Sequence, residues 1–460
     1  MTRGIACISV ALLLFLCPSA AADEVWFSPN VASVDMLDLF NYPEQWDLAR
    51  SRIDVFKFDA GHVGSDGWSC NVIPTEVCGP NHLQNFIAVD AFAKVNQWGM
   101  DLAIESFFAG PVMSASPVTC STTQHIYNLT LSGSVNVIQA VEANGGVVRC
   151  LAMDEPLRQW LPTYYHEYTG QPDPRPCLAD SIGEIADHMA AYMLQMQQWF
   201  PDIPIGHIDL YPEVDVGRYK EWVLALEARG VTIPFLHLDV HGPRVAQYNS
   251  LGITTDMAAD FAELEAWLGA RGIDFGVIFT DLEWNGQLWE PGTYTDQTYY
   301  DNTMAMVNQV EAMGVAIDHR IFQSWVTPYY TTGDGPREVP VNLPEEGAFT
   351  HTRLLNDALN VVIGADTPRG HPPRSLLAQN RPNPFGSRTA IHYELAAEAR
   401  VTLDVYDVRG ARVRTLVDVW QAPGGHTTEF LARGLPAGVY FYTLRVGERF
   451  LEARKMLLLK

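Results

Sequence analysis

The sequence predicts an α/β chain: a (βα)8 TIM barrel followed by a small C-terminal immunoglobulin-like β-sandwich. Three observations predict it. Eight short apolar runs alternate with amphipathic helical stretches through residues 25–326, the pattern of a parallel sheet with crossover helices. Between residues 364 and 381 the text turns to Pro, Gly, Arg and Ser without periodicity, as a linker does. Beyond the linker come six strand-like segments, several separated by turns containing Gly.

Residues 1–22 are expected to be a signal peptide. Arg3 supplies a short positive start, Ile5 to Leu16 form an apolar run, and Pro18 breaks it. Ala20, Ala21 and Ala22 then offer a cleavage site before Asp23. The run is shorter than the roughly 20 residues a membrane-spanning helix needs. A lipoprotein anchor at Cys17 is disfavoured by the bulky Phe15 and Leu16 before it. The mature chain is therefore expected to be exported and to have no stable membrane insertion.

The apolar runs are Val25–Pro29, Asp54–Asp59, Asp101–Phe108, Val147–Asp154, Ile203–Tyr211, Ile233–Val240, Phe275–Glu283 and Arg320–Val326. Helix candidates between them include Phe86–Trp98, Ile182–Phe200, Tyr219–Ala228, Met257–Ala270 and Tyr299–Met313. Gly99, Gly230, Gly272 and Gly314 follow their last periodic residues, as C-terminal glycines do. Eight βα units within residues 23–363 fit a (βα)8 barrel with long loops. An open doubly wound sheet is the alternative, but no Gly-rich phosphate fingerprint follows any strand.

Charge divides the chain as the periodicity does. Residues 366–460 hold 14 Lys and Arg against 9 Asp and Glu, a net of +5. That leaves 16 basic and 45 acidic residues upstream, a net of −29. A body so acidic repels phosphate backbones, so nucleic acid is excluded as a partner and neutral polymers such as polysaccharide stay open. Cys70 with Cys78 is the first disulfide candidate and Cys120 with Cys177 the second, while Cys150 falls in an expected buried strand. No CxxC pair suggests structural zinc.

In a (βα)8 barrel the working residues stand at the C-terminal ends of strands. Strand four ends Asp154-Glu155-Pro156, and strand seven ends Asp281-Leu282-Glu283-Trp284. Two glutamates there face one another across the mouth, as glycoside hydrolysis requires of its acid and its nucleophile or base. On these motifs the body resembles the superfamily of retaining barrel glycosidases, which includes many cellulases, mannanases and β-galactosidases. The resemblance implies that Glu155 is the acid/base, Glu283 the nucleophile, and Trp325 the Trp that often closes strand eight. Retention implies carboxyl groups about 5 Å apart. The sequence departs from the family at Asp154, where the family usually has Asn. The Asn NH2 donates to the sugar 2-hydroxyl, whereas an ionised Asp only accepts.

Asp281 and Glu283, two residues apart in a strand, would share one face about 7 Å apart. An Asp-x-Glu at a strand end also resembles chitinase-type barrels. That family's further aspartates would fall on Gly276 and Phe279, so the match stops at the last pair. Other polar strand-end residues are Asp59, His62, Glu105, His207, Asp209, Tyr211, His237, Asp239 and His241. As a group they would line a polar cleft, in which Glu105, Tyr211, His237 and Asp239 join Asp154, Asp281, Trp284 and Trp325 as candidate carbohydrate-binding residues. Taken singly, each His reads better as a core or supporting hydrogen-bonder. Asp209, His237, Asp239 and His241 could also supply metal ligands. Strand one has no His-x-His, however, so neither metal nor cofactor is expected. Trp68, Trp160 and Trp289 add aromatic faces that suit sugar C–H surfaces. The expected function is thus a secreted glycoside hydrolase acting on a poly- or oligosaccharide. The alternatives are a non-catalytic glycan-binding surface protein on a barrel scaffold and a metal-dependent barrel hydrolase.

The tail carries four ordered motifs: Gln379-Asn380-Arg381-Pro382-Asn383-Pro384-Phe385, Val405-Tyr406-Asp407-Val408-Arg409-Gly410, Leu435-Pro436-Ala437-Gly438-Val439-Tyr440 and the terminal Lys455-Met456-Leu457-Leu458-Leu459-Lys460. On them, residues 382–460 resemble the C-terminal sorting domain of type IX secretion cargo in Gram-negative bacteria. The resemblance implies an outer-membrane machinery as partner and a secreted or cell-surface location. The plainer alternative is an immunoglobulin-like accessory module.

Overall fold

The computed structural model describes residues 24–30, 33–59, 83–106, 123–161, 179, 181–240, 245, 248–250, 256–281, 295–324, 341–363, 376–377, 380, 382–395, 398–422, 424–447 and 449–459. Eight parallel strands close into a barrel in chain order: β1 Glu24–Ser28, β2 Val55–Asp59, β3 Asp101–Ser106, β4 Val148–Asp154, β5 Ile205–Tyr211, β6 Phe235–Val240, β7 Asp274–Phe279 and β8 His319–Gln323. Pairing of β1 with β8, from Glu24↔His319 to Ser28↔Gln323, completes the ring. Each predicted apolar run supplies one strand. The barrel prediction is borne out.

Alternation along the strands sends one set of side chains inward and the other toward the helices. Trp26, Val55, Ala103, Cys150, Ala152, Ile208, Phe235, Ile278 and Ile321 form a separate buried cluster inside the ring. Glycine makes room for it at two places. A Cβ on Gly206 would collide with the Phe235 ring, and one on Gly276 with His237. Both faces of each strand are therefore buried, which is why the runs read as nearly continuous apolar text.

The floor of the barrel is ionic. Leu102 pairs with Val148 but Ala103 pairs with Cys150, so the register slips at Arg149. Its guanidinium grips Glu24 through two bonds of 2.9 and 3.0 Å and lies 3.2 Å from Asp101. His319 stands 3.5 Å from Glu24 on the same floor. Burial holds the His319 imidazole down to about 4, against the raising influence of Glu24.

The helices largely follow the periodicity. The predicted Ile182–Phe200 and Met257–Ala270 helices are observed as Ile182–Trp199 and Met257–Gly269. Val216–Glu227 begins three residues earlier than expected because Asp215 caps it, accepting from Arg218 N at 3.0 Å. Asp296–Ala312 also starts early, at a capping box built from Thr295 and Thr298. The predicted Phe86–Trp98 helix is two pieces, Leu83–Ala88 and Ala91–Gln97, because Asp90 adopts a left-handed conformation with φ 53°. Gly99, Gly230, Gly272 and Gly314 all take positive φ, as expected of C-terminal glycines. Helices Thr123–Ala143 and His351–Ile363 are additional to those predicted.

The tail forms two antiparallel sheets. One has the order β13-β10-β9 and the other β12-β11-β14-β15, from β9 Leu376–Leu377, β10 Arg388–Leu395, β11 Ala399–Asp407, β12 Arg412–Gln421, β13 Gly424–Leu431, β14 Gly438–Val446 and β15 Arg449–Leu458. Residues of both sheets, among them Ile391, Leu403, Phe430, Tyr442 and Met456, share one buried cluster. The ordered motifs have local structural jobs. Asn383 Oδ1 accepts from Leu457 N at 2.8 Å, and Phe385 N donates to Leu457 O at 2.9 Å, so the first motif is tied to the last. Asp407 Oδ1 accepts from Arg409 N and Ala411 N, closing a turn whose Gly410 has φ 77°. Tyr440 Oη donates to Pro436 O at 2.9 Å.

Candidate active site

The inward face of the strands turns polar toward their C-terminal ends. The parity that puts Val55, Ala103, Ala152, Phe235 and Ile321 inside also puts Lys57, Asp59, Glu105, Asp154, Asp239 and Gln323 inside, nearer the mouth. Lys57 Nζ donates to Glu105 Oε2 and to Gln323 Oε1, and Gln323 Nε2 donates to the same Glu105 oxygen at 3.2 Å. The side chains of Lys57 and Glu105 are 0% and 4% exposed. One ammonium thus sits among Asp59, Glu105, Asp154 and Asp239.

Glu155 follows β4 directly and takes a left-handed conformation, φ 45° and ψ 44°, which costs a residue with a Cβ about 1–2 kcal/mol. Its N–H donates to Ile208 O on the neighbouring strand at 2.9 Å. Pro156 opens the short helix Pro156–Trp160 and has no N–H to satisfy. The next two amides, of Leu157 and Arg158, donate to Asp209 Oδ2 and Oδ1 at 2.9 and 3.2 Å. The Glu155 carboxylate faces Arg158 at 3.0 Å, with Glu213 3.4 Å from the same guanidinium.

Burial sets the protonation of this site. It pushes Glu155 up to about 8. Arg158 opposes the rise, and Asp209, Asp239 and Glu213 add to it. Burial likewise raises Asp154 well above the carboxylate range, reinforced by Glu105, Glu155 and Asp59 and countered by Lys57. Asp239 rises to about 7 through burial and Glu105, against Lys57 and Arg158. Glu105 is raised by burial, against the pull of Lys57. The mouth therefore shifts four neighbouring carboxyls toward the acid form, a pattern that marks functional sites.

A stability prediction follows. Glu155 keeps its proton to about pH 8 in the fold and gives it up near 4.5 when unfolded. Between those values the native state binds more protons, so stability falls as pH rises. Glu155→Gln is expected to be more stable than wild type by about 4 kcal/mol at pH 8, with the gain shrinking to about 1 kcal/mol at pH 5. Urea denaturation at the two pH values checks this, and an equal effect at both would show that the proton is not what is being removed.

Neither any protein-family model nor any curated protein matches the sequence. Solved structures do match. One is a family 10 glycoside hydrolase xylanase of Thermobacillus composti, 13% identical, over 73% of this chain and 97% of that one, with a TM-score of 0.40. A second is an α-amylase of Lactobacillus plantarum, 10% identical, over 88% of this chain and 98% of that one, TM-score 0.37. A third is an FMN-binding β-glucuronidase of Facaelibacterium prausnitzii L2-6, 9% identical, over 96% of this chain, TM-score 0.42. This chain spans 56% of that glucuronidase. The barrel itself rests on the strand order above.

Of the predicted site residues, the structure brings Glu105, Asp154, Glu155 and Asp239 into one electrostatic group. Two others lie elsewhere. Tyr211 faces the helices, its ring edge-on to Phe261 and its hydroxyl donating to Asp260 at 2.6 Å, because Gly206, Ile208 and Leu210 take the inward positions of β5. His237 points inward but below the mouth, stacked on Phe235 at 4.2 Å, with Nε2 2.9 Å from His319 Nδ1 and no exposed surface. Burial drives its imidazole well below the usual range. Neither residue lines the cleft. Asp209 is spent on the backbone, and among the described residues no group of three His, Cys, Asp or Glu is placed to hold a metal.

Asp281 is buried just past β7, which ends at Phe279, so Asp281 lies beyond the strand whose spacing was used to relate it to Glu283. Glu283, Trp284 and Trp325 lie outside the described residues, as do Trp68, Trp289, His62, His241, Cys70, Cys78, Cys120 and Cys177. Trp160 is buried in the short helix after Glu155, and Cys150 is buried inside the ring. Lys57, Gln323 and Arg158 belong to the site and were not predicted. A lone Lys in the run Val-Phe-Lys-Phe-Asp was the available signal for the first.

Proposed function

We propose that the chain is a secreted glycoside hydrolase that cleaves a poly- or oligosaccharide with retention, using Glu155 as acid/base and Glu283 as nucleophile. The observation that carries the reading is the Glu155 turn. A carboxyl closing β4 at a barrel mouth holds its proton to about pH 8, which is what a general acid needs near neutrality. In the first step Glu155 gives its proton to the glycosidic oxygen as the C–O bond breaks, while Glu283 bonds to the anomeric carbon. In the second, Glu155 takes a proton from the water that displaces Glu283. Burial raises Asp154 well above the carboxylate range, and in its protonated form that carboxyl has an O–H to donate. It can therefore serve the sugar hydroxyl that an Asn would serve. The tail is read as a β-sandwich that addresses the protein to the outer-membrane type IX machinery, with the secreted or cell-surface location that implies.

The test is a screen of chromogenic glycosides and polysaccharides with wild type, Glu155→Gln and Glu283→Gln, following the anomeric configuration of the first product by NMR. On polysaccharide, turnover by wild type alone, with retention, is expected. Binding by all three with turnover by none would replace the hydrolase with a glycan-binding protein.

A further inference from the structure

Asp209 makes no contact with the cleft, yet the turn that presents Glu155 hangs on it. It lies on the helix-facing side of β5 with no exposed surface. Four groups converge on its carboxylate: Leu210 N of its own strand at 2.9 Å, His207 Nε2 at 3.2 Å, and two amides of the turn, Leu157 N at 2.9 Å and Arg158 N at 3.2 Å. The two amides are the first available donors of the helix after Pro156, so the carboxylate fixes where that helix begins. Charge-assisted bonds to backbone N–H groups are among the stronger hydrogen bonds. Two of them hold the residue just before the helix in its left-handed conformation. With the amide of Glu155 itself bonded to Ile208 O, β5 grips the turn on both sides of Pro156.

We infer that Asp209 is the positioning residue for Glu155, setting from behind the barrel wall both where its carboxyl points and the charge it faces. The inference rests on the hydrolase reading only for its kinetic arm. The titratable and charged groups facing Glu155 are Arg158 of its own helix, Asp154 of β4, Asp209 of β5 with Glu213 just beyond it, Asp239 of β6, and Tyr219 of the helix Val216–Glu227. Arg158 offsets part of this field, and Asp209 is first among the groups that oppose it. A residue that merely stabilised the fold would leave the Glu155 titration where it is.

The experiment uses the full chain and two substitutions. Asp209→Asn keeps an acceptor for the turn but removes the charge, and Asp209→Ala removes both. The Glu155 carboxyl is followed by 13C NMR across pH 5–10, alongside kcat and KM on the best substrate of the screen. For Asp209→Asn the expected result is a Glu155 midpoint lower by about one pH unit, with the alkaline limb of kcat moving equally. For Asp209→Ala kcat falls about 100-fold with little change in KM, the cost of misplacing a reacting group. An unchanged midpoint in Asp209→Asn, with circular dichroism like wild type, overturns the inference. If Asp209→Ala does not fold, the Asn variant decides alone. If wild type cleaves no glycoside the hydrolase reading falls, and the NMR titration still decides the role of Asp209.

Discussion

Glu155→Gln is expected to lower kcat on an unactivated glycoside about a thousandfold, within the range a positioned general acid contributes. The loss should be far smaller, in the first chemical step, on an aryl glycoside whose leaving group needs no proton. Wild-type activity should fall as pH rises through about 8, where Glu155 loses its proton. The variant, having no proton to lose there, should have no such limb. The 3.0 Å contact with Arg158 sharpens the test. Were Glu155 simply a salt-bridged helix-cap residue, Arg158 would hold its carboxyl in the ionised form. Burial together with Asp209, Asp239 and Glu213 outweighs that one cation. Equal loss on good and poor leaving groups would remove Glu155 from the proton-transfer step. Turnover unchanged on both would remove it from the reaction.

The barrel was legible because both faces of its strands are buried, which turns eight segments into apolar runs that no amphipathic surface strand would show. That same double burial hid which way polar residues point. His207, Asp209 and Tyr211 alternate with Gly206, Ile208 and Leu210, and sequence parity alone does not say which set faces the cleft. The answer is set by packing: Phe235 fills the space beside Gly206, and Tyr211 finds Asp260 among the helices. Glu155 was legible for a different reason. A carboxylate followed by Pro at a strand end is a local pattern, although the bonds that hold its turn come from β5. Lys57 was not legible in that way, because its partners Glu105 and Gln323 lie 48 and 266 residues away. The Asp209 cap likewise joins residues 51 and 52 apart. The tail strands were read closely because Gly-containing turns bound them. The linkage of Asn383 to Leu457, across 74 residues, waited for the structure.

Lys57→Met is expected to cost about 3–5 kcal/mol at pH 8, the penalty for leaving a buried charge without its partner. The ammonium is completely buried, its carboxylate partner nearly so, and Asp59 lies near enough to raise Glu105 further. Without Lys57 nothing among the causes acting on Asp154 opposes burial and its three acidic neighbours, since Lys57 is the one group that lowers it. Glu105, Asp154 and Asp239 would all move upward, because Lys57 lowers each of them now. Such a variant recovers by taking up protons. Its native state then binds more of them than wild type while the unfolded chain does not, so the deficit should be largest at pH 8 and shrink toward pH 5. Lys57→Met combined with Glu105→Gln removes the stranded charge and should regain most of the stability, because an ion pair replaced on both sides costs far less than one broken. Urea denaturation of the single and double variants at both pH values measures the coupling directly. A single-variant loss independent of pH, unrelieved by Glu105→Gln, would mean that Lys57 acts by filling space. The mouth would then need another source for the balance between its acids and Lys57.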